Sequence, residues 1–289
     1  MIDAFASLGE ALFLGRTRLQ SSGSPTAYLD ARVLLEHVTG LQRDALIAGE
    51  FAYIGEEWAE AYAAALTRRE AGEPVAYITR RQEFWDHPFE VGPGVLIPRP
   101  ETEMLVDETL RLDPPPREIL DLGTGSGALL LSVLVALPQA RGVGIDASQA
   151  ALDEARRNRH RLKVGDRAEL LLLDFSEASQ RLSPAKFDVI LANPPYIRDD
   201  AKLPPSVADY EPAMALFAGE SGLDALVQCA EIIADLLKPQ GSAFVEIGHD
   251  QRAEAKALFE AAMPEASVSV HTDAAGHPRM VAIRPKRGL

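Results

Sequence analysis

Apolar residues recur at helical spacing over roughly the first 70 positions. Leu29, Val33 and Leu34 form one such stretch, and Trp58, Tyr62 and Leu66 another. Ser24-Pro25-Thr26 can start the first, while Arg68, Arg69 and then Gly72 close the second. The pattern predicts a small helical domain over residues 1–72 with its aromatics in the core.

Residues 73–100 change character. Short β-prone pieces are punctuated by Pro74, Pro88, Gly92, Pro93, Gly94, Pro98 and Pro100, which predicts a hairpin-like connector and a domain boundary. From about residue 101 short apolar runs alternate with helical stretches. Runs at 119–122, 142–145, 170–173, 187–192, 243–247 and 280–283 read as strands. Strand-helix alternation of this kind predicts an α/β domain with a parallel sheet over residues 101–289.

Composition narrows the class. Of 289 residues, 47% are hydrophobic and 25% charged, the profile of a soluble globular chain. No apolar run approaches the roughly 20 residues that span a bilayer, and the first residues lack the basic leader of a secretory signal. The single cysteine, Cys229, fits a reducing cytoplasm. Six histidines show no metal-ligand spacing, so no metal is expected. With 29 basic against 43 acidic residues the net charge is -14, and each of the three segments is acidic. Tight binding of free nucleic acid needs Lys and Arg on the phosphates, so this balance argues against it.

Ligands of open α/β sheets bind beyond the carboxyl ends of the strands. The first strand ends in Asp121-Leu122-Gly123-Thr124-Gly125-Ser126-Gly127. Its glycines allow a sharp turn and close backbone approach to a ligand. The turn alone suits S-adenosyl-L-methionine or NAD. Asp121 tips the balance to the former, because a carboxylate suits a methionine ammonium or water bound to it and repels a pyrophosphate. Asp146, 23 residues after Gly123, closes the second strand, where it can accept from ribose hydroxyls or cap a helix. Asp174-Phe175 closes the third; an acceptor beside a ring suits adenine, and equally a cap beside a core Phe.

Asn193-Pro194-Pro195-Tyr196 follows the fourth strand. Two prolines fix the backbone and remove donors. The Pro194 carbonyl and the Asn193 side-chain oxygen then match the two N–H bonds of a planar NH2 group, and Tyr196 can lie against it. Such a site aims an amide or aromatic amine nitrogen, and it would be idle in an NAD enzyme or a scaffold.

With these residues in view, the chain resembles the HemK/PrmC family of protein-glutamine N5-methyltransferases. The likeness runs through LDARVLLEHVTG, EPVAYITRRQEFW, LIPRPETE (Leu96 to Glu103), ILDLGTGSGA, VGID, LLLDF, FDVILANPPYI and YEPAMALFAGESGLDAL. It implies a class I S-adenosylmethionine-dependent methyltransferase fold of about seven strands, the last pair including an antiparallel strand. It implies an N-terminal helical domain that docks a peptide-chain release factor. It implies that Gly123, Thr124, Gly125, Ser126 and Gly127 shape the methionine pocket, that Asp146 holds the ribose and that Asp174 and Phe175 flank adenine. Many family members carry Trp where this chain has Phe175. Asn193 to Tyr196 would hold the glutamine of a Gly-Gly-Gln loop. A sister group modifies a ribosomal protein and typically reads R-S-P where this chain has Arg99-Pro100-Glu101, which favours the release-factor branch. Nucleic-acid adenine methyltransferases share NPPY alone. A cytoplasmic monomer is expected.

Overall fold

The computed structural model describes residues 7–286 and divides the chain into two compact units. The first runs through Arg81 and takes in Pro204–Tyr210; the second holds Gln82–Leu203 and continues from Glu211. The division after Arg81 falls inside the stretch 73–100.

The first unit consists of α1 (Leu8–Ser21), α2 (Ala27–Thr39), α3 (Arg43–Ala48), α4 (Glu56–Glu70) and α5 (Val75–Thr79). α5 stands where β-prone pieces are expected from sequence; Pro74 sits at its N-cap, and Tyr77 and Ile78 gain burial as a helical turn. Leu19, Leu34, Leu35, Tyr62 and Leu66 form the core. Gly15 lets α1 and α4 approach: a Cβ there would stand 2.0 Å from the Tyr62 hydroxyl. That hydroxyl donates to the Ala31 carbonyl of α2 at 3.0 Å. The aromatics are not uniformly core. Trp58 is 37% exposed although it shares a helical stripe with the buried Tyr62, and Phe51, in the loop before α4, is 90% exposed.

The second unit opens with the hairpin of β1 (Arg81–Phe84) and β2 (His87–Glu90), turned at Trp85 and Asp86, both with positive φ. Then follow α6 (Glu103–Leu110), β3 (Glu118–Leu122), α7 (Ala128–Ala136), β4 (Arg141–Asp146), α8 (Gln149–Arg161), β5 (Ala168–Leu172), α9 (Phe175–Leu182) and β6 (Phe187–Ala192). α10 (Pro205–Ala208) lies in the stretch that belongs to the first unit. α11 (Asp224–Leu236), β7 (Leu237–Glu246), α12 (Arg252–Ala262), β8 (Ala266–Thr272) and β9 (Pro278–Pro285) complete the chain.

Seven strands form one sheet in the order β5-β4-β3-β6-β7-β9-β8. β5 through β7 are mutually parallel, and β9 runs antiparallel to β7 and β8. This is the class I methyltransferase architecture. β8 escapes the hydrophobic pattern because it is an edge strand whose residues are at most partly buried. The central strands are apolar throughout because both their faces are covered. Ile119, Val189 and Leu191 pack with Leu130 and Leu131 of α7 on one face. Leu120, Ile190 and Ala192 pack with Ile233 of α11 and Phe259 of α12 on the other. Among the described residues no helix is long and apolar enough to cross a membrane.

Candidate active site

The chain reverses direction across the sheet at β3: β4 and β5 lie on one side, β6 and β7 on the other. Such a switch point opens a crevice beyond the strand ends. A cavity of about 250 Å³ lies there, lined by Gly123, Thr124, Gly125 and Ser126, by Asp146, Asp174 and Phe175, and by Asn193 and Pro195. Asp121, Gly127, Pro194 and Tyr196, the other residues singled out from sequence, do not line it.

The Gly-rich turn leaves β3 with Gly123, Gly125 and Gly127 all at positive φ, which L side chains adopt only under strain. A Cβ on Gly123 would stand 3.5 Å from Cζ of Phe175, so the glycine brings the backbone against that ring. Gly127 serves packing instead: a Cβ there would come within 2.7 Å of Leu131 Cδ1. Asp121 is 1% exposed and sits behind the turn. Its Oδ2 accepts from the Thr124 hydroxyl at 2.6 Å, while Oδ1 is buried with no hydrogen bond of good geometry. Burial pushes its carboxyl up to about 7, opposed by the Thr124 hydroxyl and the Leu130 N–H.

Asp146, at the end of β4, accepts from the Gly125 N–H through Oδ2 and from the Ser148 N–H through Oδ1, each at 2.8 Å. Burial raises its pKa against the pull of those two donors. The helix cap of α8 is Ser148, not Asp146, so the capping alternative falls away. Asp174 does cap α9: its Oδ1 accepts from the Ser176 N–H and hydroxyl, which hold its pKa below the usual carboxylate value. It lines the cavity as well, so cap and cavity wall coincide in one residue.

Asn193 follows β6, and its Nδ2 donates to the Thr102 hydroxyl at 3.0 Å. No described residue donates to Asn193 Oδ1 or to the Pro194 carbonyl. Tyr196 turns its hydroxyl to Glu246 Oε1 at 3.2 Å. Burial, then the Glu246 charge, raises its pKa.

Several residues that hold the site give little sign in the sequence. Asn158 of α8 donates to the Glu90 and Ser126 carbonyls and accepts from the Glu90 N–H, tying the Gly-rich turn to β2. Glu211 accepts from the Ile97 N–H and from Arg99, fixing the segment before α6. Gln251 donates to the Tyr196 and Gly222 carbonyls, fixing the chain after Tyr196. Glu246 accepts from Thr102 and Tyr196. Only Glu246 has a readable signal, a lone charge within the apolar run Ala243–Ile247. Among the described residues no group of three or more His, Cys, Asp or Glu could hold a metal ion.

Two family models match the chain in order: PrmC N-terminal domain over residues 10–79 and methyltransferase domain over residues 116–276. The release factor glutamine methyltransferase of Caulobacter vibrioides is 39% identical over 279 residues, 95% of each chain. That of Moorella thermoacetica is 41% identical, over 94% of this chain and 95% of that one. That of Escherichia coli K12 is 37% identical, over 84% and 86%. With both domains matched and likeness at this level along nearly its whole length, the chain belongs to the release factor glutamine methyltransferase family.

Proposed function

We propose that this chain transfers a methyl group from S-adenosyl-L-methionine to the side-chain nitrogen (N5) of the glutamine in the Gly-Gly-Gln motif of peptide-chain release factors. The observation that carries the reading is Asn193, which lines the cavity at the switch point with an Oδ1 that accepts from no described residue, followed in the chain by the Pro194 carbonyl, which likewise has no described donor. A primary amide presents two N–H bonds in one plane, and two adjacent fixed acceptors are complementary to it.

The residues present fit the cofactor. Each oxygen of Asp146 carries one N–H bond and keeps capacity for a ribose hydroxyl. The Phe175 ring stands beside Gly123, where an adenine can lie against it, and Asp174 uses only Oδ1 in capping, leaving Oδ2 for an exocyclic amine. Asp121 supports the methionine end from behind, through Thr124. S-adenosylmethionine supplies an electrophilic methyl group on a sulfonium.

An amide nitrogen is a poor nucleophile because its lone pair is delocalised into the carbonyl. Asn193 Oδ1 and the Pro194 carbonyl hold the two N–H bonds and stabilise the positive charge that grows on nitrogen as its bond to the methyl carbon forms and the sulfonium's S–C bond breaks, leaving a neutral thioether; the methylated nitrogen then gives one proton to solvent. Fixed acceptors do this without reorganising at the moment of reaction. Tyr196, held on Glu246, braces the chain around this pair. The same acceptors suit an adenine amine, but a net charge of -14 is a poor match to nucleic acid. The helical unit, which exposes Phe13, Ile47 and Phe51, is read as the part that docks the release factor.

The test is mass spectrometry of purified release factor incubated with S-adenosylmethionine and the full chain. A gain of one methyl group on the Gly-Gly-Gln glutamine is expected. An unmodified release factor, with methyl found on ribosomal protein or on DNA, would overturn the assignment.

A further inference from the structure

Val245 of β7 pairs with Ala192 of β6, so the next residues stand side by side at the carboxyl edge of the sheet: Glu246, the last residue of β7, and Asn193, the first beyond β6. They are joined through a third residue. Thr102, 91 positions before Asn193, places its hydroxyl between them. The Thr102 oxygen accepts from Asn193 Nδ2 at 3.0 Å and its proton goes to Glu246 Oε2 at 2.5 Å. The other Glu246 oxygen takes the Tyr196 phenol. Glu246 is 1% exposed and Thr102 4%, so water does not stand in for these partners.

The order of donors in this chain has a consequence for Asn193. An amide side chain has nearly the same shape in its two flipped orientations, and packing alone does not choose between them. A hydroxyl has one proton to give, and an ionised carboxylate has none. Thr102 must therefore donate to Glu246 and can only accept from the other side. Asn193 has to present its NH2 group to Thr102, which turns its oxygen the other way. In the opposite flip, the NH2 of Asn193 would meet the NH2 of the substrate amide, donor against donor, and the site would repel the group it has to hold.

We infer that Glu246, acting through Thr102, is a positioning residue that sets the polarity of the Asn193 amide and so keeps an acceptor facing the nitrogen to be methylated. The inference rests on Asn193 being the substrate acceptor proposed above. Thr102 also lines the cavity, so a direct contact with substrate is the competing explanation for any effect of its removal.

The experiment is methylation of purified release factor by the full chain at saturating S-adenosylmethionine, with kcat and KM for release factor measured separately. Thr102→Val keeps the shape and removes the hydroxyl. Its kcat should fall about 10²-fold, the usual cost of losing one preorganised polar group, with KM changed less than about threefold. Thr102→Ser restores the hydroxyl and should recover most of that loss. Thr102→Val combined with Asn193→Ala should be no slower than Asn193→Ala alone, because residues acting through one another are not additive. Glu246→Gln can donate to Thr102 and so permits both flips. Its kcat should fall at least tenfold by the same coupling, and it decides the matter if Thr102→Val does not fold. Wild-type kcat in Thr102→Val or Glu246→Gln, a Thr102→Ser variant as slow as Thr102→Val, or a double variant in which the two losses multiply would each overturn the inference. If the wild-type chain leaves release factor unmethylated, the substrate assignment falls and takes this inference with it. An active wild type with indifferent variants overturns the inference alone.

Discussion

Asp146 and Gly125 are joined by a single hydrogen bond, 2.8 Å from the backbone N–H of the glycine to Oδ2 of the carboxylate. It links the end of β4 to the turn that leaves β3, the two neighbouring strand ends that form one wall of the cavity. A substitution at Asp146 therefore removes the acceptor proposed for the ribose and loosens the Gly-rich turn together.

Asp146→Ala is expected to weaken S-adenosylmethionine binding by about 1.5–3 kcal/mol, the usual worth of hydrogen bonds to a charged group. Titration calorimetry on the folded variant measures it. An unchanged affinity would reduce Asp146 to a pin for the turn.

Asn193→Ala deletes one of the two acceptors and leaves the Pro194 carbonyl. Single-turnover methyl transfer should slow roughly 10²–10³-fold, with cofactor binding affected less. Asn193→Asp keeps an acceptor toward substrate but offers no proton to Thr102 and adds a charge near Glu246. Its rate should fall between wild type and Asn193→Ala. An Asn193→Ala variant with wild-type turnover would make the NPPY segment a structural turn and remove the proposed mechanism.

Glu246 gives the rate a pH dependence. Burial pushes its carboxyl up to about 7, with Thr102, Tyr196 and Arg279 of β9 opposing and Glu101 adding to the rise. Only the ionised form fixes the donor order through Thr102, so kcat should rise with pH through neutrality. Glu246→Gln should lose that acid limb while every other titrating group stays in place. A limb unchanged in the variant would assign it to another residue.

Asp121 and Glu246 also make folding depend on pH. Both carboxyls stand at about 7 in the folded chain, above their ordinary values of 3.8 and 4.5. Between about pH 4 and 7 the folded state thus binds more protons than the unfolded state, and stability falls as pH rises through that window. Each group contributes a slope of at most about 1.4 kcal/mol per pH unit. Urea unfolding across the window should show this fall, and Glu246→Gln should flatten it. A Glu246→Gln variant whose stability falls with pH as steeply as that of the wild type would contradict the burial of this acid.

Gly15→Ala should destabilise the helical unit by about 1–3 kcal/mol, the usual cost of overpacking, because the new methyl collides with the Tyr62 hydroxyl. Thermal unfolding followed by circular dichroism checks it. Ala is the better helix former, so a raised midpoint would mean that Tyr62 moves aside freely.

The sequence by itself determines the parts of this protein that depend on near neighbours in the chain. The strand-helix alternation follows from apolar runs that are buried on both faces, and the polar residues that end those runs, Asp146 and Asn193 among them, fall at the sheet's carboxyl edge wherever the strands form. The edge strand β8 has no such run, because only one of its faces, Ala266, Val268 and Val270, packs against the core, and these residues are only partly buried. Tertiary structure decides the rest. Asp121 precedes the Gly-rich turn by two residues, yet whether it lines the cavity depends on Thr124 folding over it. Trp58 and Tyr62 both fit a helical stripe, and only packing against α1 and α2 shows that Tyr62 is core and Trp58 is half exposed. The chain from Glu246 through Thr102 to Asn193 spans 144 residues at its first link and 91 at its second. Hydrophobic periodicity records which side of an element faces inward, whereas a buried hydrogen bond requires that two particular atoms meet. That meeting is fixed by strand order and register, and no local spacing in the sequence encodes it.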